Sequence, residues 1–194
     1  MAILPLNDPV VSVKARQGKT GAHPLRSLIA TILDQHHAYL KNELAALEGL
    51  VKACAGSGSD NCRAAAVELL PIFLRFRKEL EAHMKREEVI LFPLIERLEL
   101  AISENRPAPR NSFGPLGNAI QFMNEDHGFE NKLFGMMAVM TDDFASPHGA
   151  SGSYTGLMDR LKAMKLDLAE HIRKEDEMLF PEAIRLEKGE HLSE

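Results

Sequence analysis

Cysteine is scarce in this chain. Cys54 and Cys62 are the two among 194 residues, and they flank Ala-Gly-Ser-Gly-Ser-Asp-Asn. Two thiols without a second Cys-x-x-Cys give neither a zinc nor an iron–sulfur signature. They read as free thiols beside a loop, with a redox pair closing that loop as the alternative. A basic excess is also lacking. The formal charge is -5 and the pI near 5.9, which argues against a nucleic-acid or anionic-membrane partner. No apolar run approaches the roughly 20 residues that a membrane span needs. The first 21 residues have no positively charged start followed by an apolar core, so no secretory signal is read there and the cytoplasm is the expected compartment. Strand alternation, hairpin turns and a Gly-rich phosphate loop are missing throughout.

What the chain does have is helical periodicity. From Pro24, apolar residues recur at Leu25, Leu28, Ile29, Ile32, Leu33, Leu40, Leu44, Leu47 and Val51, until Gly56 to Asp60 break the pattern. A second pattern covers Ala64 to about Ala101, with Pro71 and Pro93 expected to bend or interrupt it. A third opens at Pro115 and is expected to reach Phe144, and a fourth runs from about Tyr154 to the Pro181 region. Four long amphipathic segments predict an all-α fold, an antiparallel up-down four-helix bundle spanning 23–187. Residues 1–22 are expected to form an N-terminal arm and 188–194 a C-terminal tail. At this length one domain can bury roughly 70% of its unfolded surface.

One stretch occurs twice. His83-Met84-Lys85-Arg86-Glu87-Glu88-Val89-Ile90-Leu91-Phe92-Pro93 returns as His171-Ile172-Arg173-Lys174-Glu175-Asp176-Glu177-Met178-Leu179-Phe180-Pro181, with five of eleven positions identical. On a helix, His and Glu four residues apart share a face one turn apart, which offers an imidazole nitrogen and a carboxylate together. Two such faces turned toward each other make a dinuclear metal site. The other two helices supply His37 and His127. These lie 90 residues apart and the two HxxxE histidines 88 apart, so each half is a one-histidine helix followed by an HxxxE helix. His36 stands about 100 degrees from His37 on an ideal helix and is expected to face solvent. His23, His148 and His191 receive no role.

The candidate metal ligands are therefore His37, His83, Glu87, His127, His171 and Glu175, with Glu87 and Glu175 as bridges. Six such groups in one bundle would be expensive to bury without a cation. Nitrogen and carboxylate donors without thiolate suit iron or manganese, with zinc and copper left open. The i, i+3 Glu-x-x-His pattern of ferritin-like di-iron proteins is absent. Glu79 and Asp167, each four residues before an HxxxE histidine, are the candidate partners for its second nitrogen.

At these residues the chain resembles the hemerythrin-like, or HHE cation-binding, family, and within it most resembles the di-iron proteins that repair iron–sulfur clusters. The matching stretches are His37-Ala38-Tyr39-Leu40-Lys41-Asn42-Glu43-Leu44, the eleven residues from His83, Gly114-Pro115, Met123-Asn124-Glu125-Asp126-His127 and the eleven from His171. The resemblance implies two non-haem iron ions, oxo- or hydroxo-bridged, on the six residues above. It implies a role in the nitrosative or oxidative stress response, binding or reducing NO or O2 or donating iron. Damaged iron–sulfur proteins and a reductant would be the partners, with no nucleic acid and no membrane. Residues 1 to 22 hold no adjacent cysteine pair of the kind such repair proteins often carry at the N-terminus. A reversible oxygen-binding, storage or sensing protein is the alternative, and a metal-free structural bundle is a further one. Oxygen carriers have a fifth histidine four residues after the third-helix ligand. That position is Asn131 here, from which a reactive site is expected instead of a storage site. They also use an aspartate five residues after the last histidine, so Asp176 stands as the alternative to Glu175.

Overall fold

Proline opens the first helix, where its missing N–H costs nothing. In the computed structural model, which describes residues 23–57, 60–109 and 114–190, Pro24 starts α1 (Pro24–Thr31). α1 passes without a break through a π turn (Ile32–His37) into α2 (Ala38–Gly56), giving the first of four rods. The second rod joins α3 (Asp60–Arg86), a π turn (Glu87–Leu91) and α4 (Phe92–Ser103). The third is α5 (Leu116–Met140) alone. The fourth joins α6 (Gly152–Lys174), a π turn (Glu175–Leu179) and α7 (Phe180–Glu187). The described residues are helical with no strand. α2 packs against α3 and α6, α3 against α5, and α5 against α7, which closes the four-rod bundle. The arm expected at 1–22 and the end of the tail, 191–194, lie outside the described residues.

The prolines behave differently from one another. Pro93 and Pro181 fall just after π turns, in the first turn of α4 and α7. The second pattern therefore continues past Pro93 as one rod. Pro71 lies inside α3 without interrupting it. It is exposed, as is Val67 one turn before it, so the carbonyl that loses its partner lies on the solvent side. The third rod ends at Met140, short of the expected Phe144. Asp142, Asp143 and Phe144 take left-handed φ of 49°, 53° and 60°. Thr141 Oγ1 accepts the Phe144 N–H at 3.1 Å, and this turn folds the Phe144 ring back onto Phe134, 5.4 Å away.

Two apolar cores fill the bundle. One, around Leu44, Phe73, Phe76, Leu80, Phe134 and Leu161, also takes in Cys54 and Cys62, which are buried free thiols. The other, around Ile29, Phe92, Ile95, Ile120, Leu179 and Phe180, fills the opposite end. Buried polar residues belong to neither: His36, His37, His83, Glu87, Glu99, His127, Glu130, Thr141, His171 and Glu175.

A duplicated contact fixes rods one and three at their N-termini. Glu99 of α4 accepts the Leu25 and Arg26 N–H groups at 2.9 and 3.1 Å. Glu187 of α7, 88 residues later, accepts the Leu116 N–H with both oxygens at 2.9 Å. Each carboxylate meets unbonded helix donors and the positive end of the helix dipole. Glu99→Ala is expected to lose about 1–2 kcal/mol, a drop of about 2–8 °C in Tm for a domain of this size. Unchanged thermal melting of the variant would rule out this capping role.

Candidate metal centre

The two HxxxE segments carry their histidines on the last turn of α3 and α6 and their glutamates on the first residue of the following π turn. π turns bond i to i+5 and recur at functional sites, because the widened turn redirects side chains inward. All six residues expected as ligands converge at mid-bundle, each at most 2% exposed. They form two overlapping groups of four, His37, His171, Glu87 and Glu175, and His83, His127, Glu87 and Glu175. Within each group the donor atoms all lie within 4.8 Å of one another.

The glutamates link the groups. Glu175 turns Oε1 to His171 Nε2 at 2.9 Å and Oε2 to His127 Nε2 at 3.1 Å. Glu87 Oε2 lies 3.4 Å from His37 Nε2 and 3.3 Å from His83 Nε2. The imidazoles pair across rods, with His37 and His171 Nε2 3.1 Å apart and His83 and His127 Nε2 3.2 Å apart. The repeat exchanges one pair for the other, so the centre has a pseudo-twofold axis.

Electrostatics asks for positive charge here. Glu87 is fully buried, and neither of its oxygens has a hydrogen-bond partner among the described residues; Glu175 Oε2 has none either. Burial opposes the ionised form of Glu87, yet the surrounding His83, His37 and His171 rings hold its carboxyl well below the usual range. Burial likewise opposes protonation of His83, but Glu87 and Asp126 outweigh it and lift the imidazole well above its ordinary value. His127 is pushed up to about 9 against its burial, by Asp176 and Glu175. Converging imidazole nitrogens around unpartnered buried carboxylates fit a metal cation, which satisfies both at once.

Residues 28–108 match the family model described as the Hemerythrin HHE cation binding domain. Over that stretch the chain resembles a hemerythrin HHE domain. It is 29% identical over 163 residues to the iron-sulfur cluster repair protein YtfE of Edwardsiella ictaluri, covering 83% of this chain and 66% of that protein. It is also 29% identical over 159 residues to the iron-sulfur cluster repair protein DnrN of Neisseria gonorrhoeae, covering 82% and 91%. The YtfE protein of Yersinia pestis matches at 29% over 165 residues. The HHE family implies a metal-binding site, and the mid-bundle His/Glu cluster is where this hemerythrin-like chain gathers donors for one. Among the described residues, no helix is long and apolar enough to cross a membrane.

The rest of the HxxxExxxLFP motif also has work at the hemerythrin-like centre. Glu88 Oε1 pairs with His37 Nδ1 at 2.8 Å, and Asp176 Oδ1 with His127 Nδ1 at 2.9 Å. Each acid follows a central glutamate and serves the lone histidine of a neighbouring rod. The Phe of each copy stacks on that same ring, Phe92 on His37 at 5.7 Å and Phe180 on His127 at 6.1 Å. Asp176 thus sits on the outer side of His127, while Glu175 is central. Outer carboxylates fix the tautomer and raise ligand basicity. Glu88→Gln and Asp176→Asn are each expected to weaken metal binding about 10- to 100-fold, with metal content in competition with a chelator as the readout. Unaltered retention in both would remove the role.

Two expectations are corrected. His36 does not face solvent: it is 4% exposed, its Nδ1 pairs with Asp167 at 2.8 Å, and Lys174 Nζ donates to its Nε2 at 2.7 Å. The π turn Ile32–His37 changes the angular step assumed for an ideal helix, so both histidines turn inward. Burial lowers the His36 pKa in spite of Asp167. The second-nitrogen partners are not Glu79 and Asp167, since Asp167 serves His36 and Glu79 has no hydrogen bond to His83 among the described residues. Asn131 is exposed, and Glu130 takes the inward place on α5. A cavity of about 430 Å³ is lined by Glu79, Arg86, Leu91, Phe122 and Asp126, and Asp126 lies 3.5 Å from His83 Nδ1.

Proposed function

We propose that His37, His83, Glu87, His127, His171 and Glu175 hold two non-haem iron ions, bridged by Glu87 and Glu175. We further propose that the chain serves iron–sulfur cluster repair under nitrosative or oxidative stress. The observation that carries the paired-metal reading is Glu175, which offers one oxygen to each histidine pair. The names of its relatives, iron-sulfur cluster repair proteins, support the biological assignment.

Bound iron would supply the redox chemistry toward NO or O2, or be the ion donated. The chain's own residues present four Nε2 lone pairs to one centre. Glu88 and Asp176 hold two of the opposite ring nitrogens, and Phe92 and Phe180 exclude water from those rings. No protein thiol is among the donors. Damaged iron–sulfur proteins and a reductant are the proposed partners.

The test is anaerobic mixing of the reduced, iron-loaded protein with O2 and with NO, followed by assay of a damaged iron–sulfur enzyme. Consumption of either gas, with recovery of the client enzyme, is expected. If O2 is instead taken up and returned intact under vacuum, with no client recovery, the repair reading gives way to reversible oxygen storage.

A further inference from the structure

Glu130 is 1% exposed, and neither of its oxygens has a hydrogen-bond partner among the described residues. An unpartnered buried carboxylate is costly, and the six proposed ligands make no use of it. Its Oε1 lies 3.9 Å from Nδ1 of His83, a buried nitrogen that itself has no hydrogen bond. The other acid beside that nitrogen is Asp126, 3.5 Å away through Oδ2. Arg86 also donates to that oxygen, whereas Glu130 receives no hydrogen bond among the described residues.

The pseudo-twofold axis fails at this point. The 90-residue offset that carries His37 onto His127 carries His36 onto Asp126 and Leu40 onto Glu130. His171 is the counterpart of His83, yet an imidazole stacks on it, His36 at 5.7 Å, instead of a carboxylate. Its Nδ1 has no hydrogen bond among the described residues, and His36 bonds outward to Asp167 and Lys174. The two histidine pairs therefore differ in what stands behind them. His83 has two acids beside its outer nitrogen, and His171 has a histidine stacked on its ring.

We propose that Glu130 is a positioning residue that takes the Nδ1–H of His83 and makes the His83–His127 position the tighter of two metal positions. This deepens the paired-metal reading and rests on it. A movement of about 1 Å brings Glu130 to hydrogen-bond distance. The bond fixes the His83 tautomer with Nε2 toward the centre and raises its basicity as a ligand. His171 lacks such support, so the His37–His171 position holds its ion more weakly and exchanges it first.

The experiment is a titration of metal-free protein with Zn2+ against a chromophoric chelator, resolved into stepwise constants, for the unaltered chain and for Glu130→Gln. Two unequal constants are expected in the unaltered chain. In Glu130→Gln the tighter one falls about 10- to 100-fold while the weaker one stays, so the steps converge. A second measurement needs no substitution: in the Zn2+-loaded unaltered protein, the His83 Nδ1–H proton should resonate downfield of that of His171. Fewer than two Zn2+ per chain would overturn the paired-metal reading and this inference with it. Two Zn2+ with equal constants, or with constants unaffected by Glu130→Gln, or matching Nδ1–H shifts, would overturn the inference alone.

Discussion

Glu175→Ala protein from iron-replete cells is expected to hold less than one iron per chain. In the structure, Glu175 reaches both histidine pairs with separate oxygens, so its removal strips an anionic donor from each position at once. What remains is Glu87 with both oxygens lacking hydrogen bonds and four imidazoles, a set with one negative charge for two dications. On the proposed paired-metal reading, loss of one ligand shared by two ions should therefore cost both, unlike loss of a single histidine. Asp176→Ala is the matched control. Asp176 bonds to the outer nitrogen of His127, so its loss should weaken binding and leave two ions per chain at high iron. If the two variants behaved the other way round, the aspartate would be the bridge.

Metal removal should be the largest single perturbation of stability. The centre places Glu87, Glu175, Glu130 and four histidines at 2% exposure or less between two apolar cores. With the ions gone, those groups keep their burial and lose the charge that compensates them. Free metal at about 1,000 times Kd contributes about 4 kcal/mol to the folded state, which is about 8–16 °C in Tm for a domain of this size. Differential scanning calorimetry before and after anaerobic chelation reads this directly. A chelated protein that melts with the loaded one would mean that no buried ion stabilises the fold.

Much of the fold was legible because the signal was redundant. The i, i+3, i+4 stripes marked all four rods and favoured His37 over His36, and the second HxxxExxxLFP copy gave the half-repeat that matched His37 to His127. The end of the third rod was not legible. Phe144 is as apolar as the residues before it, and only the left-handed turn at Asp142 to Phe144 shows that its ring returns by another route. His36 was misplaced because a helical wheel assumes a constant angular step, which the π turn at Ile32–His37 breaks.

The outer contacts were missed for a different reason. Glu88 and Asp176 act on histidines of neighbouring rods, and periodicity within one rod says nothing about what its side chains meet across the bundle. A signal did exist, since an acid recurs directly after the glutamate in both copies. The capping pair was equally readable from the 88-residue offset between Glu99 and Glu187. Glu130 left no such trace, because its counterpart in the other half is Leu40.

The central claim is two ions joined by shared carboxylates. Iron analysis combined with Mössbauer spectroscopy of the unaltered protein, purified from iron-replete cells and oxidised, tests it most directly. Two irons per chain with a diamagnetic, antiferromagnetically coupled ground state are predicted. One iron per chain, or two that remain magnetically independent, would contradict the account.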